Sequence, residues 1–75
     1  MKRLSQLSIG ATAKIHSFET DELLLKLMEM GCVPGEWIRV DQKAPLGDPI
    51  SISVAGYSLS LRLDEADTIL VEEIK

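Results

Sequence analysis

Apolar and polar residues alternate with a period of two in five stretches of this chain, and follow a helical period in one. In the first alternating run Ala11, Ala13 and Ile15 share one face while Thr12, Lys14 and His16 share the other, the pattern of a half-buried strand. Ile38 and Val40 alternate with Trp37, Arg39 and Asp41. Ile50, Ile52 and Val54 alternate with Ser51 and Ser53, and Leu59, Leu61 and Leu63 with Ser58, Ser60 and Arg62. Thr68 to Glu73 reads as a closing strand with Ile69 and Val71 inside. The helical stretch runs from Asp21 to Met30, where Leu23, Leu24, Leu27, Met28 and Met30 fall in one arc. Thr20 is the expected N-cap, followed by Asp21 and Glu22 where the helix dipole favours negative charge. Leu25 stands apart, among Glu22, Lys26 and Glu29 on the face expected to be wet.

Glycine and proline punctuate these segments. Gly31 fits the residue after a helix end, where a left-handed backbone carries no side-chain penalty. Pro34 and Gly35 make a turn into the second strand, and Pro45, Gly47 and Pro49 turn the chain into the third. Ala55-Gly56 is a tight reversal that makes the third and fourth strands a hairpin. Leu4 and Leu7 before Gly10 suggest a short helical turn or apolar plug, and residues 64–67 a single helical turn. These elements predict a mainly β fold. The expected form is a small SH3-like barrel of about five strands, closed because closure removes exposed edges. One helix is inserted between strands 1 and 2, and a one-turn helix precedes the last strand.

Composition narrows the class. Seventy-five residues suggest one domain, 1–75, near the lower size limit for folding without a staple. A single cysteine rules out an internal disulfide and fits a reducing cytoplasm. The basic start Met1-Lys2-Arg3 is not followed by the apolar run of a signal peptide, and no stretch is apolar enough to span a bilayer. Direct membrane insertion is therefore not expected. The net charge of −4 and scattered basic residues argue against nucleic acid as partner.

Candidate chemistry is sparse. One histidine and one cysteine, His16 and Cys32, supply at most two soft ligands, fewer than a transition-metal site takes. The expected readings are a surface histidine and a small buried residue after the helix, with the two as the alternative metal pair. The glycines at 31 and 35 lack the following Lys and Ser/Thr of a phosphate loop. Asp64, Glu65 and Asp67 read as solvated carboxylates on a surface turn, and no nucleophile stands in a recognisable motif beside a base. A non-enzyme is expected. Trp37, outward by its strand's alternation, is either covered by the inserted helix or the N-terminal plug, or it anchors a partner. A lone tryptophan in so small a domain favours intramolecular cover. Tyr57 is expected to cap the barrel end. Three aromatics are too few for the groove that binds Pro-rich peptides.

Taken together, the punctuation resembles the FeoA family of bacterial ferrous-iron uptake. The resemblance rests on Leu4 and Leu7 before Gly10, Ala13 to Ile15, and Leu27-Met28-Glu29-Met30-Gly31 leading to Val33-Pro34-Gly35. It continues through Ile38-Arg39-Val40, Ala44-Pro45-Leu46-Gly47-Asp48-Pro49-Ile50, Gly56-Tyr57, Leu59 to Arg62 and Glu65-Ala66. Cys32 departs from the larger aliphatic residue usual in the family, and Trp37 from a common polar one. The resemblance implies an SH3-like barrel and a role in ferrous-iron transport. The implied partner is FeoB, a membrane permease with a cytoplasmic GTP-binding domain, which would hold this protein peripherally at the inner membrane.

Leu24, Leu25, Met28 and Trp37 are the expected contact residues, because the helix carries more apolar surface than one core stripe needs. Gly31, Pro34, Gly35, Pro45, Gly47 and Pro49 serve as backbone-shaping positions. No resident cofactor is expected. The alternatives are a factor that binds Fe²⁺ transiently and an activator of the partner's GTPase. A homo-oligomer stays open, since strand edges and helix surface could both support one.

Overall fold

The computed structural model describes residues 1–73. Its elements are β1 (Lys2–Arg3), a 3-10 turn (Leu4–Gln6), β2 (Thr12–Phe18), α1 (Leu24–Glu29), β3 (Trp37–Lys43), β4 (Ile50–Val54), β5 (Tyr57–Leu61), α2 (Leu63–Asp67) and β6 (Ile69–Glu73). The strands form one antiparallel sheet in the order β1-β6-β2-β3-β4-β5. The alternation predicted five strands; the sixth is β1, two residues long, whose Lys2 and Arg3 pair with Val71 and Leu70. A charged dipeptide has no period to read, and the ladder that makes it a strand comes from a partner about seventy residues away.

The inward faces are those the period of two assigns. Ala13, Ile15, Ile38, Val40, Ile50, Ile52, Val54, Leu61, Ile69 and Val71 are all buried in one core. Leu4 and Leu7 enter it from the N-terminal turn, confirming the plug. Each of β2 and β3 carries a bulge, at His16 and Asp41, where one extra residue interrupts the register. The bulge places the Asp41 carboxylate to accept hydrogen bonds from Ser53 Oγ at 2.5 Å and Arg39 Nε at 2.8 Å, pinning β3 to β4. Those bonds hold its carboxyl below the ordinary range, Ser53 contributing more than Arg39.

The helical region departs most from expectation. α1 has six residues, with Leu23 as N-cap and no side-chain capping bond, so Thr20 is not its cap. The segment before it, residues 21–23, is a bend and turn. Asp21 and Glu22 reward a helix start only if the backbone there is helical, and nothing buried holds it so. Only Leu27 of α1 is buried; Leu24 is half-buried. Gly31 closes the helix at φ +102, and Cys32 N–H donates to the Leu27 carbonyl at 2.9 Å.

At the other end of the sheet β5 stops at Leu61, and Leu63 begins α2 rather than pointing inward along a strand. Asp48 Oδ1 accepts the Leu63 N–H at 3.1 Å, tying the Ala44–Pro49 turn, with its cis Asp48-Pro49 bond, to α2.

Candidate functional site

The surface of interest is built around the β4–β5 turn. Val54 pairs with Ile38 on one side and with Tyr57 on the other, so the turn Ala55-Gly56 projects between β3 and the end of β5. Both turn residues have positive φ, +51 and +82, as a two-residue hairpin requires. Trp37, one residue before Ile38, lies on the β3 side of this turn, outward as its alternation predicts.

It is 49% exposed, so the expected intramolecular cover is only partial. Lys14, its register partner on β2, places its ammonium 6.0 Å from the ring centroid, a cation–π distance. An open groove of about 270 Å³ runs beside the indole. Thr12, Ile38, Arg39, Val54, Ala55 and Gly56 line it, with nothing from α1 or the N-terminal turn.

A second groove, about 450 Å³, lies on the β5 side between the end of α1 and the edge strand, lined by Glu29, Met30, Gly31, Tyr57, Ser58 and Leu59. Tyr57 is 67% exposed and does not cap the barrel, correcting the expectation. Its ring stands at the strand's first residue, where no later strand passes over it. Gly31 lies against the β4 end: a Cβ there would lie 3.9 Å from Val54 Cγ1.

Of the four expected contact residues, Leu25 (71% exposed) and Met28 (39%) sit three apart on one side of α1. Trp37 stands at the other groove, and half-buried Leu24 packs partly inward. Tyr57, Met30 and the Ala55-Gly56 turn were not singled out as contact residues. Only the fold shows that the Ala55-Gly56 turn shares a groove with Trp37, and that Met30 and Tyr57 share the other.

The metal pair fares differently. His16 is the extra residue of a bulge, exposed, with Nδ1 2.9 Å from Ser17 Oγ, whereas Cys32 is wholly buried. Burial, and secondarily the charge of Glu65, pushes the Cys32 thiol up to about 11. A thiol held protonated is a poor metal ligand. Among the described residues no three His, Cys, Asp or Glu side chains gather as a metal-holding group.

Glu65 overturns a further expectation. The residue is only 5% exposed, not a solvated carboxylate on a surface turn. Oε2 pairs with Lys26 Nζ of α1 at 2.7 Å, and Oε1 accepts the Arg62 N–H at 2.8 Å, closing the first turn of α2. Lys26 first, then the Arg62 N–H, holds this carboxyl below its ordinary range. Residue spacing shows an acidic α2 but not that α1 delivers a lysine to it.

Comparison with known proteins identifies the family. The FeoA domain model matches residues 2–73. The chain belongs to the FeoA family. It is 42% identical over 73 residues to an Fe(2+) transport protein A/Fe(2+) transporter FeoB fusion protein of Porphyromonas gingivalis, covering 96% of this chain but 9% of that one. The solution structure of iron(II) transport protein A from Clostridium thermocellum superposes with a TM-score of 0.90 at 46% identity, over 97% of this chain and 46% of that one. This FeoA domain thus spans under half the length of both relatives.

Stenotrophomonas maltophilia FeoA, solved with zinc and described as a unique procaryotic SH3 domain protein possibly acting as a ferrous iron transport activating factor, matches with a TM-score of 0.82 at 30% identity. That match covers 96% of this chain and 91% of the other. The SH3-like fold and the link of this domain to ferrous-iron transport follow. Among the described residues no helix is long and apolar enough to cross a membrane.

Proposed function

We propose that this domain is a non-enzymatic docking module of ferrous-iron uptake that binds the cytoplasmic GTP-binding part of a FeoB-type transporter. One observation carries the reading: Trp37 and Tyr57, both more than a third exposed, flank a two-residue hairpin turn and open onto grooves on either side. Exposed aromatics set in grooves are what interface hot spots use. The joining of a FeoA domain to FeoB in one P. gingivalis chain supports such a partnership. Leu25 and Met28 extend the contact along α1. On this reading the domain works in the cytoplasm, at the membrane only through its partner, and needs no resident metal.

Binding of the partner's purified cytoplasmic domain tests it. Trp37→Ala and Tyr57→Ala should each weaken binding at least tenfold, about 1.4 kcal/mol or more, with Leu25→Asp adding a smaller loss. Unchanged binding in folded variants removes the site assignment. A second reading, activation of the partner's GTPase, is favoured by the description of the S. maltophilia relative as possibly an activating factor. GTP turnover with and without this protein separates activation from docking alone.

A further inference from the structure

α1 is fastened to the barrel at few points. Of its six residues Leu27 alone is buried, and its N-terminus has no side-chain cap. It enters through an exposed turn, 20–22. At its two ends Leu23 and Met30 pack against the core only part-buried, and Cys32 beyond is buried in it. A groove, rather than close packing, separates Glu29–Gly31 from Tyr57–Leu59 of β5. One ion pair reaches from the helix to another element, Lys26 to Glu65, and Glu65 is the one buried charged side chain among the described residues. The pair is lopsided: the lysine side chain is largely in water and the carboxylate is not. Elements with few buried contacts open locally, below the free energy of global unfolding.

We infer that residues 24–32 form a flap that opens as a unit from a still-folded barrel, with Lys26–Glu65 as its latch. Opening withdraws Leu27, Met30 and Cys32 from the core, frees the Lys26 ammonium into solvent and widens the groove along the unpaired edge of β5. The Glu65 carboxylate is then left with the Arg62 N–H and water. The strands keep their registers, because no ladder bond involves residues 24–32.

Cys32 is the chain's single cysteine, so alkylation by a thiol reagent reports this opening at one site. The full chain is labelled in native buffer and at rising, sub-denaturing urea, and the slope is compared with that of global unfolding followed by circular dichroism. A flap predicts a labelling rate with well under half the global urea dependence. Lys26→Met should accelerate labelling about tenfold while keeping the shallow slope. Lys26→Arg, which retains the pair, should keep the wild-type rate, and Lys14→Met, remote from Glu65, should leave it unchanged. Labelling with the full global slope, or a Lys26→Met rate equal to wild type, overturns the inference. None of these readouts involves a partner, so the flap and the docking surface stand or fall separately.

Discussion

The β2–β3–β4 wall and the α1 segment lie side by side in the chain but are held in opposite ways. The wall buries Ala13, Ile15, Ile38, Val40, Ile50, Ile52 and Val54 and joins its strands by ladder pairs that only the two bulges interrupt. α1 buries one leucine and leans on one ion pair. A small domain has too little interior to anchor everything. Here the interior goes to the strands, leaving the helix as the part free to change.

The contrast can be broken first in the wall. Ile52→Ala, at the centre of β4 with no exposed surface, should cost about 2–5 kcal/mol, enough to unfold much of a domain this size, as urea titration will read. Lys26→Met probes the helix side and should cost about 1–3 kcal/mol, because it strands a buried carboxylate on one remaining hydrogen bond.

Acid probes the same pair without mutation. The depressed Glu65 carboxyl contributes stability that is complete above its unfolded-state value, near the ordinary 4.5, and is lost as pH falls through its lower folded value. Thermal melts from pH 7 towards pH 3 should therefore fall more steeply for the wild type than for Glu65→Gln. Parallel curves would show that the pair does not hold the helix down. Asp41 shares that direction, so some slope remains in the variant.

Ala55→Gly should raise stability by about 0.5–1 kcal/mol, since a left-handed alanine costs more than the added chain entropy of glycine. Smallest of all, Leu25→Ala should change stability by under about 0.5 kcal/mol, its side chain being mostly in water.

Legibility from sequence follows the same division. The wall could be read because a half-buried strand leaves its period in the chain, and Ile38, Val40, Ile50, Ile52 and Val54 fell on the side assigned to them. Gly31, Gly35, Gly47 and Gly56 could be read because positive φ admits few other residues, and all four have it. The helix misled because Leu23, Leu24 and Met30 share an arc whether or not the segment is wound to its ends. Glu65 was hidden for a different reason: a carboxylate's burial depends on what another element lays over it. Tyr57 was misplaced likewise, since whether an aromatic caps a barrel depends on which strand passes above.

β1 has a consequence for how this domain can be wired into larger chains. Pairing of Lys2 with Val71, reinforced by the 2.7 Å bridge from Lys2 to Glu73, brings the two ends of the described chain to one margin of the sheet. A handful of residues could join them into a ring. The exposed Pro45-Leu46 tip could then serve as new termini, leaving all six strands whole. A neighbour attached at either end would swing from that same margin.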